Sequence, residues 1–328
     1  MGISILGAYS VITSNHTSMT VGMMIVCSIL FGKFLGPFSQ MLGTYKQMSM
    51  AYFSYLTLDK FFSQNKTDKV ITIPNPELID GTLTVKNIAF AVEKEKTLLS
   101  MFAPSSAPTY LLQNINMSFK PGNFSVIIGD IGSGKSLLMQ LMIGNLIPTS
   151  GKITLNNIDV SKCKREDMGK KIGVAFQEPF LFHTSVARNI AGMKGDYDLK
   201  EVVKAAKLAG LDDLIQSLPQ GYETNIGIGQ NSFQPSAGQS QLIALARMLY
   251  KYDDKTIFFL DEINANLDST GNATVLKIVQ KIKNDNKVCI MITHRPGILP
   301  YADKIYVIHK GRLTREGTPE EIINMKQS

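Results

Sequence analysis

Gly129-Asp130-Ile131-Gly132-Ser133-Gly134-Lys135-Ser136 follows the pattern G-x-x-x-x-G-K-[ST], and its flanks decide how the pattern is read. The apolar run 124–128 ahead of it predicts a buried strand, and 136–143 after it, apolar along one side, predicts a helix. Strand, glycine-rich loop and helix in that order make a phosphate-binding loop. The glycines let successive backbone N–H groups converge on phosphate oxygens, and the helix N-terminus adds partial positive charge. All eight residues are therefore assigned to nucleotide binding, with Lys135 on the β- and γ-phosphates and the Ser136 hydroxyl on Mg²⁺. A chance glycine-rich turn, the bland alternative, gives no reason for that order of flanks.

The 328 residues suffice for one large or two ordinary domains, and their composition is globular. A net charge of +7 raises the question of nucleic acid, but the lysines are scattered and no basic run is interleaved with aromatics. Nucleic acid is therefore not expected as a partner, and an anionic membrane surface is the alternative source of that charge balance. Cys27, Cys163 and Cys289 have no metal-site or disulfide spacing, so the part outside the membrane reads as cytosolic.

Apolar residues crowd the first sixty positions. Residues 1–12 are too short to cross a bilayer, whereas 21–43 approach the ~20 residues a spanning helix needs, interrupted by Lys33 and Pro37. A lysine at mid-membrane costs about 3 kcal/mol, so Lys33 is expected to face a bundle interior or to snorkel. Lys46, Lys60, Lys66 and Lys69 come after this segment and no Lys or Arg precedes it between 13 and 20, which puts the chain beyond residue 43 in the cytoplasm. The absence of a basic n-region argues against a signal peptide at 1–12.

The expected layout is a partial transmembrane region (1–63), a linker (64–80) and a catalytic domain (81–328). Within that domain, strands are expected at 83–90, 111–119, 152–155, 172–176, 256–260 and 288–292, with a terminal hairpin at 305–309 and 312–315. Residues 91–110 read as a surface loop, in which Phe102 or Tyr110 is a candidate to stack on a base. Helical spacing dominates about 178–250, and a further helix is expected at 272–283. The fold class is α/β, a three-layer core with an inserted helical subdomain, preceded by an α-helical transmembrane segment.

The run 256–260 ends in Asp261-Glu262. Strand alternation points two adjacent side chains differently, so Asp261 is assigned to the Mg²⁺ shell and Glu262 to a water facing the γ-phosphate. Phosphoryl transfer asks the protein chiefly for position, charge neutralisation and a water-orienting base. Adjacent acids at a strand end are ordinary solvated residues; behind a phosphate loop they acquire this role.

From about residue 83 to the end, the chain resembles the ATPase domain of ABC transporters, a P-loop NTPase fold. Gln177 stands where that family has its Q-loop glutamine, implying contact with Mg²⁺ and coupling to the membrane domain. Asn266-Leu267-Asp268 resembles the D-loop, and Thr293-His294-Arg295 the switch whose histidine contacts the γ-phosphate. Pro235-Ser236-Ala237-Gly238-Gln239 occupies the place of the signature Leu-Ser-Gly-Gly-Gln. The resemblance implies that Ser236, Gly238, Gln239 and Asp268 meet ATP bound on a partner subunit. It thus implies catalytic roles for Glu262, His294 and Gln177, and Mg²⁺ held by Ser136, Gln177 and Asp261.

Four positions depart from the family pattern. Pro235 replaces Leu and Ala237 replaces Gly, Val92 stands where many relatives place an adenine-stacking tyrosine, and Ile263 stands where proline commonly follows the glutamate. The Ala237 methyl is expected to weaken pairing rather than abolish it. The N-terminal segments, with Gly210-Leu211 and Leu218-Pro219-Gln220-Gly221-Tyr222, look like the end of type I protein-secretion transporters. That group implies an ATP- and Mg²⁺-dependent exporter in the cell inner membrane, working as a homodimer or paired half-transporter on polypeptide cargo. Membrane-fusion and outer-membrane channel proteins would be its further partners. Such exporters carry six membrane helices, so this chain reads as the C-terminal piece of one or the product of a split gene. Two alternatives are a degenerate nucleotide-binding remnant without transport and a soluble ATPase acting on nucleic acid.

Overall fold

The computed structural model describes residues 81–92 and 108–324, apart from 194, 230 and 264–266, together with scattered positions between 25 and 48. The chain divides into two compact units, Met1–Asp68 and Lys69–Ser328. In the first, the described positions are helical and exposed, Lys33 among them. Much of 21–43 lies outside the described residues, and among those described no helix is long and apolar enough to cross a membrane.

In the second unit the elements run β1 (Leu83–Val92), β2 (Thr109–Phe119), β3 (Phe124–Gly129), α1 (Lys135–Met142), β4 (Ser150–Leu155), β5 (Ile158–Asp159), α2 (Arg165–Lys171) and β6 (Ile172–Ala175). They continue with α3 (Val186–Ala191), α4 (Leu199–Leu208), α5 (Asp212–Gln216), α6 (Ala237–Leu249), β7 (Ile257–Asp261), α7 (Ser269–Asn284), β8 (Val288–Ile292), β9 (Lys304–His309), β10 (Arg312–Gly317) and α8 (Pro319–Asn324). Within this unit, each strand and helix expected from the sequence is present within a few residues of its expected bounds. The loop expected at 91–110 is shorter, because Ala91 pairs with Tyr110 and Val92 with Thr109 in β1 and β2.

The strands form two sheets. One has six strands in the order β10-β9-β3-β8-β7-β6, parallel except for the antiparallel hairpin strand β10. The other has four, in the order β2-β1-β4-β5, all antiparallel. The period-2 alternation of side chains sends the two faces of the parallel sheet into different cores. Phe258, Leu260, Cys289 and Met291 pack with α7 (Val275, Ile278, Ile282) and the α3–α6 helices. Ile257, Phe259, Val288 and Ile290 pack with α1 (Leu138, Met139, Met142) and the inner face of the antiparallel sheet (Leu83, Val85, Leu112, Ile115).

Both faces are thus buried, which is why β7 and β8 read as unbroken apolar runs. The expected three layers are corrected in one respect: the layer over the second face contains a separate sheet as well as a helix. Tyr306 of β9 joins the two sheets. Its hydroxyl donates to the Ser118 carbonyl of β2 at 2.6 Å and accepts from the Ser118 N–H at 3.2 Å.

Candidate nucleotide site

Parallel strands all end on the same side, and ligands of open α/β sheets sit beyond their carboxyl ends. The order β3-β8-β7-β6 therefore places four segments side by side there: the phosphate loop after β3, Thr293-His294 after β8, Asp261-Glu262 at the end of β7 and Gln177 after β6. In the ladder Ile127 pairs with Ile292, Ile292 with Asp261, and Leu260 with Ala175. Residues far apart in sequence are brought level by that register alone.

The phosphate loop has the backbone its glycines permit. Gly129, Gly132 and Gly134 all have positive φ. A Cβ at Gly129 would collide with the Ile308 carbonyl, and one at Gly134 (φ +97°) would lie 2.7 Å from the Leu112 side chain, so only glycine lets the loop sit this close to β9 and β2. Lys135 opens α1, and its ammonium donates to the carbonyls of Gly129 (2.9 Å) and Asp130 (2.8 Å). The Ser133 hydroxyl is 3.5 Å away. Burial lowers the lysine pKa, opposed by the charges of Glu262, Asp261 and Asp130. The charges of three acids thus act on one cation at the head of α1.

Asp261 is 6% exposed, and its Oδ1 has no hydrogen-bond partner. Burial first, and the Glu262 charge second, push its carboxyl up to about 6, while Lys135, a hydrogen bond from Ser136 and His294 pull it down. A buried carboxylate with one oxygen unmatched, beside a serine hydroxyl, is the donor set a hard divalent cation takes. Mg²⁺ uses one or two carboxylates, keeps several waters and draws its other oxygens from phosphate. Asp261 and Ser136 therefore fit Mg²⁺. Gln177 is exposed just past β6, and its carbonyl accepts from the Gln241 side chain of α6 at 3.3 Å.

The raised Asp261 value makes a stability prediction. With a folded pKa above the unfolded one, the folded state binds the extra proton between about pH 4 and 6, and ionisation above that window costs stability. In metal-free buffer, Asp261→Asn is expected to raise the thermal midpoint at pH 7 by about 2–4 °C and by roughly half as much at pH 5, midway through the window in which the penalty accumulates. Paired melting curves at the two pH values check it.

Glu262 departs from the expectation drawn from alternation. β7 ends at Asp261, and Glu262 adopts a left-handed backbone (φ +46°) with its N–H on the Ile292 carbonyl at 2.9 Å. Glu262 is thus placed by the turn after the strand and not by strand alternation, and both carboxylates lie within electrostatic reach of Lys135. A left-handed glutamate costs of order 1 kcal/mol, a strain that recurs at functional positions. Glu262 Oε1 lies 2.7 Å from His294 Nε2, and the ionised carboxylate can only accept, so the ring N–H donates. Buried Thr293 fixes the turn below His294 by accepting the Arg295 N–H at 3.0 Å.

Ser236, Gly238 and Gln239 lie elsewhere, at the N-terminus of α6. Ser236 accepts from the Gln239 N–H (3.2 Å), and the Gln239 side chain accepts from the Ser236 N–H (2.8 Å), a reciprocal capping box. The S-x-x-Q spacing is itself the sequence signal of that box, beside the phosphate contact expected of the same residues. Asp268 caps α7 through the Gly271 N–H at 2.7 Å; Asn266 beside it lies outside the described residues. Of the base-stacking candidates, Tyr110 is half-exposed on β2 next to Leu111 and Leu112, which adjoin the phosphate loop; Phe102 lies outside the described residues.

One partner in the site had no sequence signal. His309, the last residue of β9, places Nδ1 2.8 Å from Asp130 Oδ2 in the phosphate loop. Only the parallel pairing of β3 with β9, which aligns Gly129 with Ile308, brings them together.

Residues 112–265 match the family model described as ABC transporter. Along 98% of its length the chain is 29% identical to the type I secretion system ATP-binding protein PrsD of Rhizobium meliloti (strain 1021), covering 52% of that protein. It is 30% identical over 97% of its length to the leukotoxin translocation ATP-binding protein LktB of Mannheimia glucosida, covering 42% of it. The chain thus spans about half the length of the curated relatives it matches. In fold it is similar to a bacterial Atm1-family ABC exporter solved with ATP bound, with a TM-score of 0.67, 23% identity, and coverage of 99% of this chain and 54% of that one.

Proposed function

We propose, on the premise that residues 112–265 are an ABC transporter ATPase domain, that this chain binds Mg²⁺-ATP beyond the carboxyl ends of the parallel strands and hydrolyses it to drive export. The observation that carries the reading is what the strand order places side by side: the phosphate loop with Lys135, the buried Asp261 carboxylate with one oxygen unmatched, and Glu262 held 2.7 Å from His294. In this reading, Lys135 leaves the loop carbonyls for the β- and γ-phosphates of ATP, and the loop N–H groups receive the remaining oxygens. Asp261 and Ser136, with Gln177, would hold Mg²⁺, which would supply charge neutralisation at the transferred phosphoryl group. Glu262 accepts a proton from the attacking water, and His294 donates to the γ-phosphate while orienting Glu262.

Likeness over nearly the whole chain to proteins named for type I secretion and for leukotoxin translocation supports an exporter of polypeptides. The proposed setting is the cell inner membrane with the ATPase domain in the cytoplasm. Residues 21–43 would belong to the membrane part, with membrane-fusion and outer-membrane channel proteins beyond. The α6 N-terminus (Ser236, Gly238, Gln239) and Asp268 would meet ATP on a second copy or a paired half-transporter. Sedimentation with membranes, together with Mg²⁺-dependent phosphate release by the full chain, tests this setting.

The reading as a remnant without transport has one observation in its favour: the Ser236 hydroxyl and the Gln239 side-chain oxygen are each engaged by the other residue's backbone N–H. Ala237 is exposed at the first position of α6, where its methyl would stand in the way of a phosphate brought by a partner. Ala237→Gly is expected to raise turnover, at a stability cost of about 0.5–1 kcal/mol or less. Steady-state phosphate release in the two proteins checks it; turnover undetectable in both favours the remnant.

A further inference from the structure

We propose that His309 is a positioning residue for the phosphate loop, holding the Asp130 carboxylate by a ring hydrogen bond so that the loop can accept a polyphosphate. The inference rests on the nucleotide reading of the site. An acid inside an anion-binding loop works against its own ligand. Asp130 is one of three acids whose charge raises the Lys135 pKa, so its field reaches the cation that would meet the phosphates. An unpaired carboxylate there repels ATP.

The pairing is built by the fold. β3 and β9 run parallel, with Ser125 to Gly129 matched to Lys304 to Ile308, and the next residue of each strand is Asp130 and His309. The hairpin turn after His309 is fastened to the same loop: the Gly311 N–H donates to the Ser133 carbonyl at 3.1 Å, and the Gly311 carbonyl accepts the Gln113 N–H of β2 at 2.8 Å. The absent side chain of Gly129 leaves no gap, since a Cβ there would strike the Ile308 carbonyl. Arg312, paired with His309 across the hairpin, is turned to the Gln113 side chain on β2. The imidazole Nδ1 thus meets Asp130 from a scaffold anchored at both ends. Because the carboxylate can only accept, the ring nitrogen carries the proton.

As a surface ion pair this contact would contribute little to folding, since both side chains are half or more exposed. Its effect falls instead on ligand affinity, where the uncompensated charge of Asp130 would oppose several phosphate charges at once. His309→Ala in the full chain is expected to raise the ATP dissociation constant and KM roughly 3- to 10-fold, with kcat changed by less than about twofold. His309→Gln, which keeps a hydrogen-bond donor on a differently shaped side chain, should lie between. Asp130→Asn alone should tighten ATP binding, and Asp130→Asn in the His309→Ala background should restore affinity to wild type or better.

Titration with ATP, with thermal midpoints confirming that each variant is folded, reads all four. An unchanged affinity in His309→Ala, or a double variant as weak as His309→Ala, overturns the clasp while leaving the nucleotide site standing. A wild type that binds no ATP overturns the nucleotide reading and the clasp together.

Discussion

Lys135→Ala is expected to weaken ATP binding by roughly 10²-fold or more, the loss of two or more charge-assisted hydrogen bonds to phosphate. Two features make the effect large. The lysine is 5% exposed at the head of α1, so its charge acts in a partly desolvated pocket, and the acidic field of Glu262, Asp261 and Asp130 loses the cation that offsets it when the lysine is removed. The fold should tolerate the change. The ammonium holds two loop carbonyls in this structure, and the loop is also pinned by the contacts of Ser133 and Gly129 to the β9–β10 hairpin. Equilibrium titration with ATP, read beside a melting curve, separates lost binding from lost folding. Unchanged affinity would remove the phosphate loop from the account.

Glu262→Gln should behave in the opposite way, keeping ATP and losing turnover by roughly 10²–10⁴-fold. The amide retains the shape, and its oxygen can still accept from His294 Nε2, so the 2.7 Å contact and the left-handed turn at 262 persist. The base that accepts a proton from water disappears. The substitution also removes one of the acidic charges acting on Lys135, so affinity should rise slightly if it moves at all. A variant that turns over at the wild-type rate would mean that another group orients the water.

Much of this site was legible because its parts lie where apolar runs end. β3, β7 and β8 are buried on both faces, so their sequences are short unbroken apolar stretches, and the chemistry-bearing residues Lys135, Asp261, Glu262 and His294 sit at their ends or a few residues past them. Three features were not legible. The division of strands into two sheets is a tertiary fact: β1 and β2 alternate as any half-buried strand does, whichever sheet they join. Alternation failed at Glu262 because it was carried one residue beyond the strand, into a left-handed turn fixed by the Ile292 carbonyl. The pairing of Asp130 with His309 spans 179 positions and exists only because β9 lies beside β3. The Ser236 capping box was the reverse case, since its spacing stood in the sequence and was overshadowed by the signature reading.

The central claim, a Mg²⁺-ATP hydrolysing centre at the ends of β3, β7 and β8, is tested most directly by phosphate release from ATP. The full chain is measured with and without Mg²⁺, beside Lys135→Ala and Glu262→Gln. The account predicts Mg²⁺-dependent release by the wild type, and neither variant sustaining more than about a hundredth of it. Release that is indifferent to Mg²⁺, or equal in all three proteins, would contradict it.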